Sequence, residues 1–357
     1  MSLSQNDMFN TETFKYVIEG IIMTIILIYG LVGNSLSIYI LRRKEVRLQP
    51  IFVEVLCSLS LFDNLFLIGA FLLFSLPQLC VSYASYDFQL IAPYLYPMTN
   101  TLLTCSSYMT VVVALNRYIL VKQLNQQSTK KFVVNGYFQA LIALLAAICV
   151  NIPRWFEFSC CQSQTSTSNI KSDQTDDATS INVTKIYSVI NPIRDQYEYI
   201  RDYTLISSNF LTLLLPMILM SIFSGLVYVE MKKTTSHSLD DRERSEQKKR
   251  NDGLTFMLIG IIILFITCRI GELGVSIFEL VMVIRQGSRQ SFPNYIRAII
   301  SINTLFLVCN SSFNFIIYNR DILFRKCFLR LYKIMGATIA KRKFEQQDNE
   351  EITLQDI

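Results

Sequence analysis

Histidine occurs once in these 357 residues, tryptophan once, and charged side chains make up only 17%. The single histidine, His237, sits in a charged stretch, so the chain cannot assemble a histidine-based metal or catalytic centre at membrane depth. A charged fraction so far below the roughly 25% of soluble domains argues against a water-soluble fold. No internal repeat is visible, and 12 glycines and 8 prolines supply few helix breaks. Both facts count against transporters built from duplicated halves and against channels lined by broken helices. An intramembrane enzyme needs a carboxylate dyad or His and Glu ligands at one depth, and Asp63 has no second aspartate at its own. The net charge of +5 marks no nucleic-acid surface, because the basic residues are not pooled on one soluble face.

What the chain has in abundance is apolar length: 51% of it is hydrophobic, with 24 Phe and 18 Tyr. Seven runs are long enough to cross the hydrocarbon core as helices. They lie near Val17–Leu41, Ile51–Leu79, Pro93–Val121, Phe132–Pro153, Asp202–Glu230, Leu254–Ile284 and Tyr295–Asn319. The expected fold is therefore an all-α membrane protein, a seven-transmembrane helix bundle over residues 17–319. An odd number of spans puts the termini on opposite sides of the bilayer. Lysine and arginine gather in alternate connections: Arg42, Arg43, Lys44 and Arg47; Lys122, Lys130 and Lys131; Lys232 to Arg250; and Arg320 to Lys333. The stretch Cys80–Ala92 has none. Positive residues stay on the cytoplasmic side, so residues 1–16 are expected outside and the tail inside, at the plasma membrane. Asn182-Val183-Thr184 is then a glycosylation sequon on the outer side. The polar start precedes an apolar run too long for a cleavable signal, which is expected to act as a signal-anchor.

The outer connection near Phe156–Arg201 is rich in Ser, Thr, Asp and Gln and reads as a flexible surface segment. Beyond the last run, Phe324, Cys327, Phe328, Leu331, Tyr332 and Met335 recur at helical spacing, with Arg325, Lys326, Arg330 and Lys333 opposite. That pattern predicts a basic amphipathic helix over residues 320–336, lying on the inner leaflet of the lipid bilayer. Residues 337–357 are acidic and polar, and read as a disordered cytoplasmic tail.

Five runs carry a polar residue that lipid disfavours: Asn34, Asp63, Arg117, Arg269 and Asn314. Such residues are functional by default. Their surroundings give the set an order. Gly33-Asn34, Leu59-Ser60-Leu61-Phe62-Asp63, Asn116-Arg117-Tyr118, Pro216, Phe265-Ile266-Thr267-Cys268-Arg269-Ile270-Gly271 and Asn310-Ser311-Ser312-Phe313-Asn314-Phe315-Ile316-Ile317-Tyr318 follow one another through the runs. In that order they resemble the rhodopsin-like family of G-protein-coupled receptors. Four positions depart from the family pattern: Asn116 replaces an acid, Arg269 a tryptophan, and Gly271 and Phe315 each a proline.

The resemblance implies a receptor that couples an extracellular ligand to a heterotrimeric G protein, not an enzyme in its own right. It implies a sodium pocket formed by Asp63, Ser106, Asn310, Ser311 and Asn314, with Na⁺ or a proton holding the resting state; the alternative is a plain hydrogen-bonded helix contact. It also implies that Asn116, Arg117, Tyr118 and Tyr318 act in G-protein coupling. Because Asn116 cannot form the family's ion pair with Arg117, Asp252 is an alternative partner and raised basal activity is expected. Without prolines at Gly271 and Phe315, the backbone hydrogen bonds of the last two helices are expected to stay intact.

Thr99 stands where an amine receptor has aspartate, and Val308 where an opsin has lysine, so both ligand classes are excluded. The expected ligand-binding set is Thr99, Asn100, Phe210, Arg269, Glu272 and Glu279, with Phe278 beside it. Its carboxylates, and the acids Asp173, Asp176, Asp177, Asp195, Glu198 and Asp202, would attract a cation. Glu272 could instead be neutralised by Arg269 at i, i+3. Tyr94-Leu95-Tyr96-Pro97 is similar to invertebrate FMRFamide-type neuropeptide receptors, which implies a short amidated peptide ending in Arg-Phe-amide. The alternative is a receptor of the same fold that couples weakly or takes a non-peptide ligand. The family's third-helix cysteine is missing at Ala92, and a bridge from Cys80 to Cys160 or Cys161 is expected in its place.

Overall fold

A computed structural model describes residues 12–43, 45, 48–84, 88–126, 134–170, 179–190, 196, 198–236, 260, 263–278, 280–282, 284–285, 294–319 and 324–333. Apolar runs in lipid must satisfy every backbone group internally, which leaves the helix as the spanning form. Six such helices are long and apolar enough to cross a membrane: α1 (Glu12–Leu41), α2 (Pro50–Leu79), α3 (Phe88–Gln123), α4 (Gly136–Phe156), α5 (Tyr199–Met231) and α7 (Tyr295–Tyr318). Between α5 and α7 runs α6, described over residues 263–278, and residues 324–333 form α8. The chain is a multi-pass, all-α membrane bundle of seven helices.

Helix α3 is the hub, packed on α2, α4 and α5, while α1 packs on both α2 and α7. Arg269 of α6 hydrogen-bonds to α3 and α5, and Gly271 of α6 lies against Asn303 of α7, which closes the ring. Isoleucine and leucine at Ile25, Ile28, Leu61, Ile68, Leu141, Leu145, Ile218 and Ile222 point outward, as a lipid-facing surface requires. Several polar side chains inside the helices are satisfied by their own backbone. Ser37, Ser58, Thr101, Ser107 and Thr110 each donate to the carbonyl four residues back.

Three departures from sequence expectation matter. Part of the connection after α4 is ordered as an antiparallel hairpin, β1 (Phe158–Ile170) and β2 (Thr179–Ile190), from Phe158 opposite Ile190 to Ile170 opposite Thr179. Threonine, isoleucine and valine fill seven of the twelve positions of β2, where their β-branches favour strand over coil, and β1, richer in serine and glutamine, pairs with it. The register slips between Ser159 and Gln162, which places Cys160 and Cys161 in the irregularity.

Second, α7 is interrupted in spite of its missing proline. The regular helix ends at Ser312, Phe313 adopts φ −91° and ψ 1°, and a short helix restarts over Asn314–Tyr318. At the break, the Asn34 side chain of α1 donates to the Ser311 carbonyl at 3.0 Å. A side-chain amide thus takes a carbonyl next to the turn, and no proline is needed to interrupt the ladder.

Third, the hairpin-side parts of α1, α2 and α5 are wound as π-helix over Tyr16–Ile22, Phe71–Ser75, Tyr199–Ser208 and Phe210–Leu214. The side of the bundle nearest α8 has no π-helix among the described residues and holds the largest apolar cluster, which runs from Leu41 and Leu56 through Met109 and Val113 to Tyr318 and Phe324.

Candidate functional site

Midway through the bundle, Asp63 is fully buried and held by two neighbours. Ser106 Oγ of α3 donates to its Oδ1 at 2.5 Å, and Asn314 Nδ2 of α7 donates to its Oδ2 at 2.6 Å. Ser311 Oγ lies beside the carboxylate but makes no hydrogen bond of good geometry, and Asn310 is buried on the same helix. The structure therefore brings Asp63, Ser106, Ser311 and Asn314 together from α2, α3 and α7, while Asn310 has no hydrogen bond to Asp63 among the described residues. The oxygens this cluster offers, the Asp63 carboxylate and the Ser106 and Ser311 hydroxyls, are hard donors of the kind a small hard cation takes, while Asn314 turns its amide N–H toward the carboxylate.

On the hairpin side of that cluster, Arg269 is 1% exposed. Its Nη1 donates to Glu272 Oε2 at 2.7 Å, and its Nη2 donates to Ser107 Oγ at 3.0 Å and to the Thr212 carbonyl at 3.2 Å. The guanidinium also lies over the Phe265 ring, 5.5 Å from its centre. One side chain thus ties α6 to α3 and α5. Of the two sequence readings of Glu272, the structure shows the ion pair with Arg269. The Glu272 side chain nevertheless stays 20% exposed.

Gly271 explains its own place. A Cβ there would overlap Asn303 Oδ1, so glycine lets α6 and α7 approach at the level of Arg269. The family's proline would overlap in the same way.

Other expected ligand residues scatter. Thr99 is buried against Gly69 of α2, and Asn100 donates to the Tyr96 carbonyl of its own helix. Phe210 is 46% exposed, a correction to its expected place in an aromatic pocket, because on α5 the buried positions are Asn209, Thr212 and Leu213. Phe278 is half-buried. Asp202 is paired with Arg201 at 2.6 Å, and Glu198 is exposed. Glu279, Asp173, Asp176, Asp177, Asp195, Asp252 and Met335 lie outside the described residues, as do the side chains of Asn182, Cys160 and Cys161. Cys80 is half-buried with a free thiol, so the bridge expected from it is not formed.

A charged cluster that the sequence reading missed lies at the end of α4. A 3₁₀ turn over Ile152–Phe156, closed by the Glu157 amide on the Arg154 carbonyl, projects Arg154 and Glu157 from one turn. Arg154 donates to Ser208 Oγ of α5 at 3.0 Å and has Glu157, Glu272, Tyr96 and Tyr203 within electrostatic reach. Tyr199 donates to Glu157 Oε1 at 2.8 Å, and the Tyr199 and Tyr203 rings lie 5.1 Å apart. The signal in the sequence is an Arg and Glu at i, i+3 around the lone Trp155, at the end of the fourth apolar run. Glu19 was missed likewise: it is buried within α1, accepts from Ser301 of α7 at 2.6 Å, and faces Lys15 at 3.7 Å.

At the α8 end, Asn116 does not stand alone where an acid is usual. Its Nδ2 donates to Gln139 Oε1 of α4 at 2.6 Å and to the Val112 carbonyl at 2.8 Å, and Gln139 Nε2 returns a longer bond at 3.4 Å. Arg117 is 4% exposed beside it. Tyr118 is half-buried under the Lys122 ammonium, 5.5 Å from its ring. Glu54 of α2 accepts from the Gly136 amide at the start of α4 at 2.8 Å, which satisfies a donor that the helix leaves open. Tyr318 is buried, and Phe315, in place of proline, packs edge-on against Phe324 and Phe328 of α8 at 5.9 and 5.3 Å. Gly33 of α1 makes room for the Phe315 Cβ.

The family model for serpentine type 7TM GPCR chemoreceptor Srw matches residues 21–319, from within α1 to the end of α7. The chain is 24% identical over 343 residues to the FMRFamide receptor of Drosophila melanogaster, covering 92% of this chain but only 56% of that protein's length. It is 25% identical over 327 residues to the probable G-protein coupled receptor frpr-1 of Caenorhabditis elegans, covering 86% of this chain and 76% of that one. A shorter stretch of 145 residues is 30% identical to the FMRFamide peptide receptor frpr-18 of the same organism.

Proposed function

We propose that this chain, which belongs to the serpentine type 7TM GPCR chemoreceptor Srw family, is a plasma-membrane receptor for a short amidated peptide. Its N-terminus and hairpin lie outside, and it promotes nucleotide exchange on a heterotrimeric G protein at the α8 end. The rhodopsin-like motif order belongs to this reading too, with Arg117 as the residue that meets the G protein. The observation that carries it is the Arg269 node: one buried guanidinium holds α3, α5 and α6 together, and its counter-ion Glu272 is partly exposed. A ligand guanidinium drawn to Glu272 competes with Arg269 for the carboxylate. Each hydrogen bond to a charged group is worth about 1.5–3 kcal/mol, so a change of partner there can reset a two-state equilibrium tenfold or more. The names of the FMRFamide relatives and the clustered acids support a cationic, amidated ligand.

Asp63, Ser106, Asn310, Ser311 and Asn314 would hold Na⁺, which would balance the buried carboxylate. These residues fix the meeting of α2, α3 and α7, next to the break in α7.

The test is a calcium recording in cells that carry a promiscuous G protein, over a panel of amidated peptides, with Arg117→Ala in parallel. A saturable response that Arg117→Ala abolishes is the expected result. Silence across the panel at normal surface expression overturns the reading.

A further inference from the structure

The turn that ends α4 carries what a terminal carboxamide needs and a free carboxylate does not. A carboxamide offers one carbonyl acceptor and two N–H donors, so its receptor must supply a strong donor and a strong acceptor side by side. Arg154 and Glu157 leave the same 3₁₀ turn, three residues apart, within electrostatic reach of each other. The Arg154 Nε–H is buried without a hydrogen-bond partner, while its Nη2 is braced on Ser208. Glu157 is 3% exposed and is fixed from α5 by the Tyr199 hydroxyl. Tyr199 and Tyr203 set two rings, tilted by 35°, beside the pair, and the Tyr203 hydroxyl is anchored on the Val150 carbonyl. Glu272 lies within electrostatic reach of Arg154 across the bundle.

We infer that Arg154 and Glu157 form a subsite for the terminal carboxamide of the ligand. Arg154 donates to the amide carbonyl, Glu157 accepts from the amide N–H₂, and the Tyr199 and Tyr203 rings flank the last side chain. This rests on the peptide-receptor reading and supplies its selectivity. An arginine one residue before the amide is then directed toward Glu272. A peptide ending in a free carboxylate meets the Glu157 charge and has no N–H to give it, so the site rejects the acid form. Rejection of a group that leaves a buried charge unpaired is the strong kind of discrimination.

The experiment compares one peptide in amide and free-acid form, read as half-maximal concentration in the calcium recording at matched surface expression. The wild-type receptor is expected to prefer the amide about a hundredfold, in line with lost charged hydrogen bonds. Glu157→Gln, which removes the charge and keeps the size, is expected to cut that preference to within about threefold, mainly by admitting the acid. Tyr199→Phe leaves the ring and releases Glu157, and is expected to narrow the preference partway; it also serves if Glu157→Gln does not reach the surface. A generally weakened receptor would lose both forms equally and keep the ratio. An unchanged ratio in both variants, or a wild-type receptor indifferent to amidation, overturns the subsite and leaves the receptor reading standing. A wild-type receptor silent to both forms overturns the receptor reading and the subsite together.

Discussion

On the hairpin side of Asp63 the helices meet through buried charge: Glu19 with Ser301, Glu157 with Tyr199, and Arg269 with Glu272, Ser107 and Thr212. On the α8 side they meet chiefly through neutral amides and rings, Asn116 with Gln139 and Phe315 with Phe324 and Phe328, with the half-buried Glu54 on the Gly136 amide as the charged exception. Arg117 is the one buried cation described there. The π-helical winding falls only toward the hairpin, whereas toward α8 the one break described is the turn at Phe313 of α7. A π turn leaves its carbonyls less tightly paired and is frequent at functional sites. Apolar burial drives little helix association in lipid, so van der Waals packing and interhelical hydrogen bonds decide each half. The difference teaches a division of labour. A charged ligand can exchange partners with a charged network, whereas amides and aromatic edges make a surface that shifts by small, graded steps.

Arg269→Ala should produce the largest effect. It removes the tie from α6 to α3 and α5 and leaves Glu272 without its guanidinium. With hydrogen bonds to charge worth about 1.5–3 kcal/mol, ligand-free signalling at matched surface expression should rise about tenfold or more. If basal signalling stays at the wild-type level, the charged half is not what holds the resting state, and the comparison breaks.

Phe315→Ala comes next. It deletes two edge-on ring contacts to α8, each worth about 0.5–1.5 kcal/mol beyond burial. Thermal unfolding of the detergent-solubilised protein should shift down by a few degrees, and protease should reach α8 sooner. Agonist potency should move little, because the rings lie at the far end from Glu272. A large potency loss without destabilisation would show that the two halves are not separable in this way.

The spans were legible because their signal is length and apolarity, which a bilayer imposes directly. The Asp63 cluster was legible too, since a carboxylate inside an apolar run has few reasons to be there. Long-range partners were not. Nothing local to Phe315 says that Gly33 on another helix leaves room for its Cβ, or that α8 brings Phe324 and Phe328 to its ring. The break at Phe313 was hidden for the same reason, because the amide beside it belongs to Asn34 and not to a proline in sequence. Arg154 and Glu157 are hidden because they sit in and just after the 3₁₀ turn at the end of the fourth run, where length and apolarity mark no site. Polarity along the Ser- and Thr-rich connection says nothing of pairing, and the β-branched residues that favour a strand are concentrated in β2.

Asn116→Asp sharpens the comparison from the other side and should have the smallest effect. Aspartate cannot donate, so it gives up the bonds to Gln139 Oε1 and the Val112 carbonyl, and keeps an acceptor for Gln139 Nε2. In exchange it sets a carboxylate next to the Arg117 guanidinium. Interhelical hydrogen bonds in membranes average about 0.6 kcal/mol, so the exchange is worth about a factor of three in the resting-to-active ratio. Basal signalling should fall by that factor, because the new ion pair favours the resting arrangement, while the lost bonds, one within α3 and one from α3 to α4, are made in both. Gln139→Leu in the wild-type background separates the two contributions, since it removes the amide partner and adds no charge. Basal signalling that is unchanged in Asn116→Asp and raised in Gln139→Leu would assign the resting hold to the α3–α4 amide pair, and would remove Arg117 from that role.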